Sequence, residues 1–317
     1  MATIIGTTGN DILVGTTTAD ILRGLAGDDL LNGGPGADLL DGGDGNDTVS
    51  YDYANAGVVV DLAAGGTGGG DIFVSIENLQ GGRFGDRLYG DSGANLLIGG
   101  DGDDNLAGRA GDDILEGGAG ADRLNGGDGS DTVSYGYATS GVVVDLALGG
   151  TAGGDVFISI ENLLGGAFAD SLSGDSQANI LSGGQGDDTL RGRGGADRLE
   201  GGAGFDVAIY SDSAAAVTVN LATGTGLGGD AEGDVLISIE GVNGSRYDDR
   251  LIGGNGDDRL RGLDGDDWLE GGYGPDLFDG GAGRDTVSYG YSTTGVTIDL
   301  AAGGTGGGDV FISIENL

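Results

Sequence analysis

The chain has 317 residues, of which 76 are Gly and 2 are Pro, with no Cys and no His; its 13 basic residues are all Arg, set against 44 Asp and 8 Glu, for a net charge of −39. Without His, Cys or Lys there is no zinc finger, HExxH protease, thiol nucleophile, Ser-His-Asp triad, Schiff-base lysine, P-loop or disulfide. A surface this acidic repels nucleic-acid phosphates and anionic headgroups, so neither nucleic acid nor membrane is expected as a partner.

From the N-terminus, the segment after Met1 has no basic n-region and no apolar h-region, which predicts no cleavable signal peptide. Apolar runs such as Val156 to Ile160 are far too short to cross a bilayer. So much Gly and charge often marks disorder, but this chain is periodic at two levels.

The first predicted element, residues 1–50, holds five copies of a nonamer, Gly-Gly-x-Gly-x-Asp-x-(apolar)-x, from Gly6 to Ser50. Gly at the first, second and fourth places permits positive φ in a tight turn. The last three residues alternate out, in and out, as a strand with one buried face does. Six residues of turn and three of strand make half a coil, so eighteen residues close one circuit. Successive circuits stack as parallel strands, with the eighth residues lined up inside. The sixth residues stack in two columns on opposite edges, here Asp11, Asp20, Asp29, Asp38 and Asp47.

Residues 51–80 form an insert, YDYANAGVVVDLAAGGTGGGDIFVSIENLQ. Its β-branched runs between Gly-rich turns predict wider coils of the same parallel stack. Residues 81–134 resume with six nonamers, whose sixth places hold Asp86, Asn95, Asp104, Asp113, Asp122 and Asp131. A second insert follows at 135–164. Block three, 165–209, has Asp170, Asn179, Asp188, Asp197 and Asp206; insert three, 210–243, has a longer loop. Block four, 244–288, has Asp249, Asp258, Asp267, Asp276 and Asp285, and a fourth insert ends the chain at 289–317. The expected whole is one continuous all-β solenoid, with 21 nonamers covering 189 residues.

A column of carboxylates at strand spacing, roughly 4.8 Å, repels itself unless a cation intervenes. Carboxylates plus the carbonyls of Gly turns are hard oxygen donors, which favour Ca²⁺ over softer metals and over the smaller Mg²⁺. The nineteen sixth-position Asp residues are therefore the predicted metal ligands. Pairs stacked two repeats apart number thirteen, and thirteen divalent ions would offset 26 of the 39 negative charges. The inserts repeat further acids. Asp61, Asp145 and Asp299 lie in the first strand, Asp71, Asp155, Asp234 and Asp309 precede the second, and Glu77, Glu161, Glu240 and Glu315 lie near its end. Turn-making and additional Ca²⁺ ligation both stand as readings of these acids. Tyr51, Tyr135, Tyr210 and Tyr289 recur in phase with the scaffold, which argues against a catalytic role.

The GGxGxDx(apolar)x copies, such as GGDGDDNLA at 99–107 and GRAGDDILE at 108–116, resemble the RTX family of hemolysin-type calcium-binding repeats. The resemblance implies a right-handed parallel β-roll that is disordered without Ca²⁺. It also implies folding outside the cell after type I secretion. No enzymatic domain is recognised, and the chain is expected not to be an enzyme. Two functional readings stand: a structural, self-assembling extracellular protein, and a folding and export module of a larger enzyme or adhesin. Ile4-Ile5-Gly6 matches Leu163-Leu164-Gly165, so one copy's start continues another copy's finish at Leu317. That register predicts head-to-tail filaments; a cut at a repeat boundary is the alternative.

Overall fold

The computed structural model describes all residues except 68–69, 152, 294, 301–302 and 306–307. The described residues build an all-β, parallel β-roll. Strands pair at a spacing of eighteen residues: Ile21 lies beside Thr3 and Leu39 in one sheet, and Leu30 beside Ile12 and Thr48 in the other. Each nonamer supplies a strand whose middle residue turns inward, as in Leu30–Asn32 and Arg87–Tyr89. Successive nonamers alternate between two sheets. The eighth residues turn inward and are buried, Leu22, Leu31, Phe278 and Val287 among them completely.

The chain divides into two compact units. One comprises Met1–Tyr137 and Gly149–Asn162, the other Ala138–Leu148 and Leu163–Leu317.

In the first unit, insert one corrects the expectation of wider parallel coils. Its three strands, Val59–Asp61, Gly66–Thr67 and Ile72–Val74, form an antiparallel meander, with Val60 opposite Thr67 and Gly66 opposite Ile72. Ile72–Val74 returns to lie parallel to Leu39–Asp44, and Val59–Asp61 lies parallel to Arg87–Tyr89. The opposite sheet carries no such addition: Asn78–Gln80 pairs directly with Thr48–Ser50 and Leu96–Asp101. The physical reason is in the loops. Gly65 (φ 71°) and Gly70 (φ 105°) adopt backbone conformations that let the chain reverse, which alternation in the strands does not reveal.

In the second unit, insert three places its meander of Thr218–Asn220, Thr225–Leu227 and Val235–Ile237 in the sheet of Arg198–Ala203 and Arg250–Ile252. Insert four places its own in the sheet of Leu277–Ala282. Each meander falls in the sheet opposite the last strand of the block before it. That strand is Val207–Ile209 in the first case and Thr286–Val287 in the second. Because nonamers alternate sheets, the position and number of repeats in a block decide the side. A 3-10 turn, Gly229–Ala231, occupies the longer loop of insert three.

The glycine pattern divides by role. Many second and fourth places take positive φ, as at Gly43 (110°) and Gly45 (150°), though second-place Gly82, Gly166 and Gly254 and fourth-place Gly9, Gly36 and Gly93 do not; Leu25, Arg109, Arg193 and Leu263 take it at second places without being Gly. First-place glycines do not, contrary to expectation. Their requirement is space, and it belongs to the carboxylates.

Candidate metal centre

Eighteen of the nineteen sixth-position Asp residues are buried, and Asp11 is half-buried. Their side chains point along the stack. Oδ1 of Asp29 accepts the backbone N–H of Asp11 at 2.8 Å, and Oδ1 of Asp47 accepts that of Asp29 at 2.8 Å. The neighbouring column runs Asp20 to Asp38 at 2.8 Å. The other blocks repeat it: Asp104 to Asp122 at 2.8 Å, Asp113 to Asp131 at 2.9 Å, Asp188 to Asp206 at 2.8 Å and Asp267 to Asp285 at 2.9 Å. One oxygen of every stacked carboxylate thus closes a backbone donor of the neighbouring coil.

The second oxygen divides the set. In the first two repeats of each block it is taken by an N–H of its own turn. Asp20 receives Thr16 at 2.7 Å, Asp86 receives Gly82 at 2.7 Å, Asp170 receives Gly166 at 2.8 Å and Asp258 receives Gly254 at 2.6 Å. Asp11 and Asp249 are closed likewise by Thr7 and Ser245. In the remaining thirteen, Oδ2 is buried with no hydrogen-bond partner: Asp29, Asp38, Asp47, Asp104, Asp113, Asp122, Asp131, Asp188, Asp197, Asp206, Asp267, Asp276 and Asp285. These are the later members of the stacked pairs, each resting on a coil that is itself a nonamer.

Asn95 and Asn179 fall in the second repeats of their blocks. Their side-chain carbonyls accept their own turns' N–H groups at 2.8 Å, from Asp91 and Asp175 respectively. Asn therefore replaces Asp at second repeats, where Asp20 and Asp258 of the other two blocks likewise have Oδ2 closed by their own turns.

The insert acids sort into three kinds. Asp71, Asp155, Asp234 and Asp309 extend one column per block, accepting the N–H of Asp38 (2.9 Å), Asp122 (3.1 Å), Asp197 (2.9 Å) and Asp276 (3.0 Å). Glu77, Glu161, Glu240 and Glu315 extend the other, accepting from Asp47, Asp131, Asp206 and Asp285 at 2.9–3.0 Å. Asp61 and Asp145 instead hold arginines: Arg109 and Arg193 each form a two-pronged pair at 2.8 and 2.7 Å. The guanidinium beside Asp61 holds its carboxyl below the usual range. Position-by-position reading missed one further column. Fifth-position Asp28, Asp103, Asp112 and Asp187 accept the N–H of the fifth residue one coil on, for example Asn46 to Asp28 at 2.9 Å. Their signal is the Asp-Asp doublet preceding the apolar residues.

The bare oxygens sit against first-place glycines. A Cβ on Gly24 would lie 1.9 Å from Asp29 Oδ2 and 2.5 Å from the carbonyl oxygen of Gly42. One on Gly99 would lie 2.1 Å from Asp104 Oδ2 and 2.5 Å from the Gly117 carbonyl. Carboxylate and carbonyl oxygens thus converge where only Gly leaves room. Among the described residues no group of three or more acidic side chains is gathered to hold a metal, so backbone carbonyls must complete any coordination shell. Burial pushes the carboxyls of Asp104, Asp197, Asp267 and Asp276 up to about 7, and those of Asp113, Asp122, Asp188 and Asp258 to about 6. Backbone amides bonded to the carboxylates oppose the rise, and nearby carboxylates add to it. A buried, half-satisfied carboxylate at neutral pH calls for a proton or a cation. With hard oxygen donors only, the fitting cation is Ca²⁺; bound, it would supply positive charge to two stacked turns.

No helix among the described residues is long and apolar enough to cross a membrane. A search of curated proteins finds no match to this chain. The family model of the RTX calcium-binding nonapeptide repeat matches at residues 3–20, 14–49, 75–106, 98–133, 159–190, 173–208, 242–269 and 261–290. Those matches cover more than half of the chain and coincide with the four stacked blocks, so the chain belongs to the RTX calcium-binding repeat family.

Proposed function

We propose that the chain is a non-catalytic structural protein that is secreted and folds outside the cell by taking up calcium, one ion for each of the thirteen bare carboxylate oxygens. That set of oxygens, each in a turn whose glycine leaves space beside it, is the observation that carries the reading. The chain's own residues do three things. The Oδ1 atoms tie each coil to the next, the Oδ2 atoms present charge, and the Gly turns bring carbonyls alongside. Outside the cell Ca²⁺ reaches millimolar levels, in the range where extracellular modules bind it. Inside, the same carboxylates repel one another and keep the chain unfolded for export. Coils that contact only their neighbours should load cooperatively.

Circular dichroism in excess chelator and in millimolar Ca²⁺, with bound calcium counted on the folded protein, tests the reading. A coil spectrum turning to β, with about thirteen ions per chain, is the expected result. A β spectrum in chelator above about pH 7, or a folded protein holding no calcium there, overturns it. A role in head-to-tail assembly, suggested by the match in register between Ile4-Ile5-Gly6 and Leu163-Leu164-Gly165, is part of the proposal. Light scattering in Ca²⁺ tests that part: growth reversed by chelator supports it, and a stable monomer at high concentration rules it out.

A further inference from the structure

The four recurring tyrosines occupy one place in the pattern. Tyr51 donates its hydroxyl to Asp71 Oδ2 at 2.8 Å, Tyr135 to Asp155 at 2.9 Å, Tyr210 to Asp234 at 2.9 Å and Tyr289 to Asp309 at 2.6 Å. Each of these Asp residues is stacked like a nonamer Asp, with Oδ1 on the amide of the coil beneath. The coil beneath is in every case a nonamer whose own Asp leaves Oδ2 bare: Asp38, Asp122, Asp197 and Asp276. By the rule that holds in the blocks, Oδ2 of the insert Asp should also be bare. It is bonded to a phenol instead.

We infer that these tyrosine hydroxyls stand where a calcium ion would otherwise sit, and so end the cation column at each insert. The inference rests on the calcium reading of the nonamer turns. A hydroxyl 2.6–2.9 Å from the carboxylate fills the contact shell a calcium ion would take at about 2.3–2.6 Å. The ring is held in place: Tyr51 and Tyr210 are 4% and 1% exposed. The hydroxyl stays protonated, because burial first and then the Asp234 charge raise the Tyr210 pKa well above its ordinary value. A neutral donor satisfies the oxygen without adding positive charge, so the column can stop inside the protein. At the other end of each block the turn's own N–H closes the side chains of the first two sixth positions, Asp or Asn. In each block, the column that ends on the insert Asp is thereby bounded at both ends.

Calcium stoichiometry on Tyr51→Phe and Tyr210→Phe, against the wild-type chain, is the test. Each substitution should add one bound ion, and Tyr210→Phe combined with Asp234→Asn should return the count to the wild-type number. A folded Tyr→Phe variant with an unchanged count overturns the inference, since a purely packing role would alter stability and leave stoichiometry alone. Should both variants fail to fold, the calcium-loaded wild type still decides. Four tyrosine hydroxyl protons protected from solvent exchange are expected by NMR, and rapid exchange of all four overturns it. A wild-type chain that binds no calcium would instead defeat the calcium reading itself.

Discussion

The backbone N–H of Asn95 donates to Oδ1 of Asp113 at 2.8 Å, while Asp113 Oδ2 is buried without a partner. The two oxygens of one carboxylate are thus separable by substitution. Asp113→Asn keeps the acceptor for Asn95 and removes the bare oxygen. It is expected to lower calcium stoichiometry and move the folding midpoint to higher Ca²⁺, because Asp113 also lies beneath Asp131 in the same column. Asp44→Ala, at an exposed third position, should change stability by less than about 0.5 kcal/mol. Calcium titrations followed by circular dichroism compare the two; equal shifts would contradict the assigned register.

Restoring the consensus at Asn95 should do harm. Its side-chain amide nitrogen donates to the Glu77 carbonyl at 2.8 Å, while its oxygen accepts the Asp91 N–H. Asn95→Asp would set a carboxylate oxygen against that carbonyl in a buried place, at a cost of about 1–3 kcal/mol. Denaturant melts in saturating Ca²⁺ measure it. A more stable variant with an extra ion would show that the turn opens.

Gly24 and Gly9 predict opposite outcomes for the same change. A Cβ on Gly24 would meet Asp29 Oδ2 at 1.9 Å, whereas one on Gly9 meets nothing within 4 Å. Gly24→Ala should destabilise by about 1–3 kcal/mol through overpacking and disturb the adjoining cation turn. Gly9→Ala should be neutral or slightly stabilising, by up to about 1 kcal/mol. Thermal melts in Ca²⁺ distinguish them.

Acid and calcium should act as rivals. The buried carboxyls of Asp104, Asp197, Asp267 and Asp276 reach about 7, against an ordinary 3.8. The metal-free roll therefore binds more protons than the unfolded chain between about pH 4 and 7, and its stability falls as pH rises through that window. In chelator, β structure should grow as pH is lowered from 7 towards 4. In calcium the sign reverses: the midpoint Ca²⁺ concentration should rise as pH falls from 8 to 6, since protons occupy the same oxygens. A midpoint independent of pH across that range would rule the competition out.

The stacking register was legible from the sequence because period nine forces it. Once Leu22, Leu31 and Leu40 are placed inside, the eighteen-residue pairing and the Asp columns follow. The meanders were not legible. Val59–Asp61 and Ile72–Val74 do run parallel to the stack as their composition suggests; what composition hides is the short antiparallel strand Gly66–Thr67 between them, and that reversal lies in loop glycines whose φ no residue pattern reports. Nor was the division of the Asp residues, since Asp86 and Asp104 share one motif position and differ in what their own turns donate. A trace of it was present: Thr7, Thr16, Asp91, Asp175 and Ser245 replace the second Gly in the opening repeats of the blocks.

Because successive nonamers alternate between sheets, block length acts as a selector for what the molecule displays. Inserting a single nonamer into block three would carry Val235–Ile237 and its meander to the opposite face, whereas inserting two would leave it where it is. Nine-residue duplications therefore reorient the surface and eighteen-residue duplications only lengthen the stack. An insert and the repeats that precede it must then vary together, and any partner docking on an insert is sensitive to a change made many residues away from it.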